Sequence, residues 1–250
     1  MASPDVLGIT QGAGAVAVLL LTASGGAAAA VTGSVGLPAA ALAGGLGTGL
    51  LVYLLAWRRG VDGFRLVLIG VSVSAVMQAV TTWLLVTADI TDVARAQVWL
   101  VGSLDGRSPG QAWTALGCTL ALLTVVTGAA FQFRPLHFGD EVAAGLGVRY
   151  PVVRAVMLLC AVLLAGVAVS AAGPVPFVAL VAPQAAMRLA RCPTPPLAAS
   201  GLVGASLLTG ADLVARTALP VALPVGVVTA AIGGPFLVYL LVRANLRKAA

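Results

Sequence analysis

The segment FRLVLIGVSVSAVMQAVTTWLLVT, from Phe64 to Thr87, contains 24 residues, of which only Arg65 is charged. About 20 predominantly apolar residues suffice for an α-helix to cross the ~30 Å hydrocarbon core of a bilayer. The segment is therefore predicted to be a transmembrane helix. Arg58 and Arg59 precede it, so the nearest basic charges lie at one end and the middle stays apolar.

The composition of the whole chain agrees with a membrane protein. Of the 250 residues, 60% are apolar and 9% are charged, and the mean hydropathy is +1.07. A soluble chain of this length would need far more polar surface. The 30 glycines suit the close packing of transmembrane helices. We predict an all-α polytopic membrane protein that forms a single domain over residues 1–250.

Eight apolar segments are predicted to span the membrane, the sixth being the shortest. The first lacks a basic n-region and a clear small-residue cleavage site, so it is predicted to be a retained span rather than a signal peptide. In the gap from Ala88 to Gly110, the stretch VWLVGSL predicts a short interfacial helix with Trp99 at the headgroup level. The spans are Leu7–Val31, Gly36–Trp57, Phe64–Thr87, Gln111–Phe131, Pro151–Ala171, Pro176–Leu189, Leu197–Ala215 and Val225–Val242.

Basic residues are sorted between alternate gaps. Eleven of the 14 lysines and arginines lie on one side of the membrane if every predicted span crosses it. Basic residues near span ends favour the cytoplasmic side, so the richer side and both termini are predicted to be cytoplasmic. The richer side holds Arg58, Arg59, Arg65, Arg134, Arg149, Arg154, Arg188, Arg191, Arg243, Arg247 and Lys248, and the other side holds Arg95, Arg107 and Arg216.

The chain offers little for catalysis. His137 is the single histidine, and Asp140 and Glu141 are adjacent, so neither an acid–base pair nor a triad is predicted. No GxxxxGK[ST] sequence is present, so any ATP must be bound by a partner, and no cofactor is predicted. Three cysteines without CxxC spacing predict neither disulfides nor a metal site. The basic residues form no stripe with interleaved aromatics, which argues against nucleic acid as a partner.

The segment GDEVAAGLGV (Gly139–Val148) lies in the longest predicted cytoplasmic connection. Asp140 and Glu141 lie at its start, where carboxylates favour the positive end of a helix dipole, and glycines lie at its finish. We interpret it as a small docked helix, with an ordinary solvated loop as the alternative.

Prolines divide the segment AGPVPFVALVAPQ (Ala172–Gln184), which follows the fifth span. Pro174 and Pro176 are predicted to end one helix, and Pro183 to interrupt the next. Broken helices in membranes often line a cavity or a moving gate. From the sequence, a gate and a simple kink satisfied by neighbouring helices are equal alternatives.

Asp212 and Arg216, in the sequence ADLVAR, are four residues apart and so share one helical face near the predicted outer surface. Charge within a span usually marks a functional site. At the end of a span a structural ion pair is more common, and we predict one here.

Together these segments resemble the permease subunit of bacterial ABC importers for iron-siderophore complexes, vitamin B12 and haem. That family usually has ten spans, and the first two would precede the first motif, so this chain is expected to begin at the family's third span. The resemblance is carried, in order, by SPDVLGITQGAGAV (Ser3–Val16), WLVGSL (Trp99–Leu104), GDEVAAGLGV, AGPVPFVALVAPQ, ADLVAR (Ala211–Arg216) and LPVGVVTAAIGGPFLVYLLVR (Leu223–Arg243).

The resemblance implies a pore in the bacterial inner membrane made with a second permease copy or a paralogue. It also implies a cytoplasmic ATPase dimer and an extracytoplasmic substrate-binding protein. Many relatives have histidine where this chain has Gln184. The residues that match the ATPase-coupling segment are Gly139, Asp140, Glu141, Ala143, Gly145, Leu146 and Gly147, and those that match the translocation path or gate are Pro174, Phe177, Pro183 and Gln184.

The leading functional prediction is inward transport of a ferric siderophore complex, powered by a separate ATPase subunit. Import of vitamin B12 or haem is the first alternative. An ion-coupled secondary transporter is the second, although the predicted spans offer almost no ionisable residue at mid-membrane depth. An inactive, truncated membrane protein is the third.

Overall fold

A computed structural model of the chain describes residues 8–22, 36–56, 63–133, 145, 150–192, 194–217 and 223–249. These residues are predominantly helical, and no strand occurs among them, which confirms the all-α prediction. The helices of the described part are, in chain order, α1 (Ile9–Thr22), α2 (Gly36–Ala56), α3 (Gly63–Thr87), α4 (Ile90–Val101), α5 (Pro109–Phe133), α6 (Tyr150–Ala172), α7 (Val178–Ala190), α8 (Leu197–Thr217) and α9 (Val225–Ala249).

Eight of these helices lie at the eight predicted spans. Helix α4 lies in the gap where a short helix is predicted, but it begins at Ile90 and ends at Val101, before the last three residues of VWLVGSL. By length and composition, α2, α3, α5, α6 and α8 can each cross a membrane. Three apolar helices are shorter, namely α1, α7 and the part of α9 up to Tyr239. The predicted continuation of the first span to Val31 falls on residues outside the described part.

The contacts divide the chain into two compact units. The first comprises Met1–Ala96 and Arg107–Ala171, and the second comprises Gln97–Gly106 and Ala172–Ala250. In the first unit, a buried cluster joins α1, α2 and α3 through Ile9, Val52, Ala56, Leu66 and Val73. In the second unit, a cluster of Ala211, Ala215, Val225 and Val228 joins α8 to α9.

Glycines bring the backbones of α1 and α2 close together. A Cβ on Gly12 would overlap the hydroxyl of Thr48 and lie 2.9 Å from the carbonyl oxygen of Gly44. A Cβ on Gly44 would lie 2.6 Å from the carbonyl oxygen of Gly12 and 2.7 Å from Cβ of Val16. Small residues at such a contact permit the close packing on which helix association in lipid depends.

This contact predicts a difference between two glycines of α2. Gly44→Ala is expected to lower the melting temperature of the purified protein, because overpacking a tight contact costs about 1–3 kcal/mol. Gly47 is the matched control, since a Cβ added there would meet no atom within 4 Å. Gly47→Ala is expected to leave the melting temperature unchanged or raise it, because alanine is the better helix former by about 1 kcal/mol. Equal melting temperatures for the two variants would contradict the α1–α2 contact.

Candidate functional site

The turn between α6 and α7, which we call the gate turn (residues 173–177), is shaped by prolines and two left-handed residues. Helix α6 ends at Ala172 and α7 begins at Val178, so the predicted break at Pro174 and Pro176 is confirmed. Gly173 has φ +74° and Phe177 has φ +68°. Glycine adopts this conformation freely, whereas it is uncommon for a residue with a side chain.

Three glycines allow the end of α4 to meet the gate turn and the start of α9, all in the same unit, at backbone distance. A Cβ on Gly102, which has φ +83°, would overlap the carbonyl oxygen of Pro174. A Cβ on Gly173 would lie 2.7 Å from the carbonyl oxygen of Trp99, and one on Gly226 would overlap that of Val101. We call this crossing of the α4 end, the gate turn and the α9 start the backbone junction.

Two hydrogen bonds hold the backbone junction together. The amide of Ser103 donates to the carbonyl oxygen of Ala172 at 2.9 Å. The amide of Gly226 donates to the carbonyl oxygen of Gly102 at 3.2 Å. Each bond joins segments that are distant in the sequence, so the gate turn is fixed to the end of α4, and the end of α4 to α9.

Trp99, predicted at the headgroup level, is buried. Its side chain is only 6% exposed, so it is buried in protein rather than presented to lipid headgroups. Its indole nitrogen has no hydrogen-bond partner within the described part of the chain. The chain turns at Gly102 into the backbone junction, so the last turn of α4 lies against other backbone segments of the same unit.

Phe177 packs against α9. A Cβ on Gly233 would overlap Cβ of Phe177 and lie 2.8 Å from its Cγ. A cavity of about 30 Å³ beside the ring is lined by Phe177, Val181, Leu207, Ala211, Thr229 and Ile232, among others. The Thr229 hydroxyl donates to the carbonyl oxygen of Gly226 in its own helix at 3.0 Å, so its proton is used within the helix. A space of this size holds about two water molecules at most and cannot admit a chelate.

The remaining gate candidates lie within α7. Pro183 is inside this helix, which continues to Ala190, so the prediction that Pro183 interrupts the helix is wrong. A proline removes one amide donor, the one that would reach the carbonyl four residues earlier, and a helix can continue past that single loss. Gln184, the next residue, is half-buried.

The last turn of α7 also contacts α9. The guanidinium carbon of Arg188 lies 5.9 Å from the ring centroid of Phe236 and 5.7 Å from that of Tyr239. These distances are within the range of cation–π attraction. Helix α7 therefore contacts α9 near both of its ends.

The predicted ion pair is present and has an additional member. Nε of Arg216 donates to Oδ2 of Asp212 at 2.9 Å. Nη1 of Arg216 also lies 3.7 Å from Oδ1 of Asp105, a residue that sequence reasoning did not connect with this pair. All three side chains are at least partly exposed, so their net contribution to stability is small. Elsewhere, partial burial lowers the pKa of Arg107.

Most of the predicted coupling segment falls outside the described residues. Gly145 is described: its backbone is helical, and the residue is exposed. The other candidates, Gly139, Asp140, Glu141, Ala143, Leu146 and Gly147, are not described, and their roles stay predictions.

Known proteins resemble this chain over nearly its whole length. Residues 1–243 match the FecCD transport family. The ferric enterobactin transport system permease protein FepG of Escherichia coli is 39% identical over 251 residues, which cover 99% of this chain and 74% of FepG. The achromobactin transport system permease protein CbrC of Dickeya dadantii is 42% identical over 245 residues, which cover 97% of this chain and 69% of CbrC.

A solved structure has a similar fold. It is described as an inward-facing conformation of a metal-chelate type ABC transporter, and it matches with a TM-score of 0.83. The match covers 96% of this chain and 76% of that chain at 23% sequence identity. At this identity the likeness establishes the helical fold.

Proposed function

Because the chain belongs to the FecCD transport family, we propose that it is the transmembrane permease subunit of a bacterial ABC importer for ferric siderophore complexes. The observation that carries this proposal is the similarity to FepG, whose name specifies ferric enterobactin, across 99% of this chain. The eight apolar helices agree with such a role. Vitamin B12 and haem are the alternative cargoes.

The permease works with partners in this proposal. Two permease subunits, either two copies or this chain and a paralogue, form the pore in the inner membrane as one permease domain each. A cytoplasmic ATPase dimer binds the ATP, and an extracytoplasmic binding protein delivers the chelate. The permease itself catalyses no reaction and holds no cofactor.

The mechanism we propose is alternating access. ATP favours one pore state over the other because the ATPase dimer contacts the two states differently. Closure of the dimer acts on the coupling segment, residues 139–148, and the motion reaches Pro174 and Phe177 in the gate turn and Pro183 and Gln184 in α7. With both termini in the cytoplasm, the coupling segment lies on the ATPase side. Asp212 and Arg216 then lie on the delivery side as a structural pair.

Reconstitution tests the proposal. The permease is placed in proteoliposomes with its ATPase and binding protein, and uptake is measured for ferric siderophores, vitamin B12 and haem in parallel. We expect ATP-dependent uptake of a ferric siderophore, and no uptake when the ATPase cannot hydrolyse ATP. Failure of every chelate to accumulate with ATP would overturn the proposal. Uptake that survives loss of the ATPase but collapses with a protonophore would indicate a secondary transporter instead.

A further inference from the structure

Phe177 is held by α9 as well as by its own turn. Its backbone has φ 68° and ψ −25°, a conformation that a residue with a Cβ keeps when the surrounding structure imposes it. The surrounding structure here includes Gly233, whose missing side chain leaves the space that Cβ and Cγ of Phe177 occupy. Any larger residue at position 233 would displace Phe177.

The contact with Phe177 belongs to one continuous face of α9. Gly233, Phe236 and Tyr239 follow one another at intervals of three residues, so each is the surface neighbour of the next on the helix. The first contacts Phe177, immediately before α7. The other two lie beneath Arg188 in the last turn of α7. This face therefore contacts α7 near both of its ends.

The local sequence of α9 makes this contact adjustable. Pro235 lies two residues after Gly233 within the helix. Prolines are among the places where helices bend most readily. The contact between Gly233 and Phe177 therefore lies at the part of α9 that bends most readily.

We propose that Gly233 is a positioning residue for transport: it seats Phe177 in its left-handed conformation, so that the gate turn and α7 move together with α9. The inference rests on the proposed function, which makes Phe177 a gate residue. A shift of α9 at Gly233 changes the support of Phe177, and this couples the position of the helix to the state of the gate.

Two adjacent glycines provide the test. Gly233→Ala places a Cβ on Phe177, whereas the Cβ of Gly234→Ala meets no atom within 4 Å. In the reconstituted complex we expect Gly233→Ala to lower the number of chelate molecules imported per ATP hydrolysed at least tenfold. Gly234→Ala is expected to match wild type. The ratio is measured on folded complex, so a loss of stability alone would not move it.

Variants of Phe177 identify the contact responsible. Because the overlap involves Cβ of Phe177, Gly233→Ala is expected to have no further effect in a Phe177→Gly background and a full effect in a Phe177→Ala background. If the Gly233→Ala variant does not assemble, assembly itself becomes the measurement. Phe177→Gly is then expected to restore assembly and Phe177→Ala is not, which identifies the same contact. If Gly233→Ala has the same effect in the Phe177→Gly and Phe177→Ala backgrounds, Gly233 does not position Phe177.

The outcomes separate the two proposals. If wild type imports a chelate and Gly233→Ala keeps the import ratio of Gly234→Ala, the positioning role is wrong and the proposed function stands. If wild type imports no chelate, the proposed function fails and the gate role of Gly233 fails with it. In that case the melting temperatures of the same variants still test the contact between Gly233 and Phe177. Equal melting temperatures for Gly233→Ala and Gly234→Ala would exclude that contact.

Discussion

Gly102→Ala is expected to remove most of the folded permease from the membrane, while Gly106→Ala leaves a folded and active protein. Both glycines have positive φ, +83° and +68°, so a Cβ costs about 1–2 kcal/mol of conformational strain at either position. The added Cβ overlaps the carbonyl oxygen of Pro174 in the first variant and meets no atom within 4 Å in the second. The difference between the two variants therefore measures how much the backbone junction contributes to the stability of the fold.

The size of the effect follows from the groups that must separate. Neither partner in the overlap is the end of a flexible side chain, so the end of α4 must move away from the gate turn. Overpacking of this kind costs about 1–3 kcal/mol. The hydrogen bond from Ser103 to Ala172 and the one from Gly226 to Gly102 weaken with it, at about 1 kcal/mol each.

The measurement is the amount of monodisperse permease recovered in mild detergent, together with its melting temperature. We expect recovery of the Gly102→Ala variant to fall at least tenfold relative to Gly106→Ala. Gly226→Ala tests the junction from the other side, because its Cβ overlaps the carbonyl oxygen of Val101. It is expected to be equally damaging even though alanine favours a helix. Normal recovery of both Gly102→Ala and Gly226→Ala would contradict the junction.

The parts of the fold that could be predicted from the sequence are those with local causes. A span needs about 20 apolar residues in a row, so most of the segments carry their own signal, the short Pro176–Leu189 segment being the exception. The break before α7 is equally local, since Pro174 and Pro176 cannot donate the hydrogen bonds of a helix. The pair of Asp212 and Arg216 follows from a spacing of four residues on one helix.

The backbone junction could not be predicted, because its three segments are far apart in the chain. Gly102, Gly173 and Gly226 look like the other glycines of this glycine-rich sequence until their spatial neighbours are known. The burial of Trp99 escapes prediction for the same reason, since its surroundings are set by a turn whose course the sequence does not specify. No local spacing identifies Asp105 as a second partner of Arg216.

Reversing charge at the start of the coupling segment is expected to uncouple ATP hydrolysis from transport. In Asp140→Lys/Glu141→Lys, two cations replace two carboxylates at the predicted N-terminus of a short helix, where each carboxylate contributes about 0.3–1 kcal/mol. The helix loses that stabilisation, and the surface offered to the ATPase changes sign. We expect chelate import per ATP to fall at least tenfold in proteoliposomes, while the ATPase continues to hydrolyse ATP.

Two further variants make the cause of that loss specific. Asp140→Asn/Glu141→Gln removes the charges without reversing them, and its import ratio is expected to fall between those of wild type and the lysine variant. Asp89→Lys reverses an exposed charge just before α4, on the predicted outer side. It is expected to leave the import ratio unchanged, because any effect there falls on delivery of the chelate and not on the use of ATP. If the lysine variant keeps the wild-type ratio, residues 139–148 are not the docking site. If Asp89→Lys lowers the import ratio equally, the loss is caused by the change in overall charge, because position 89 lies outside that segment.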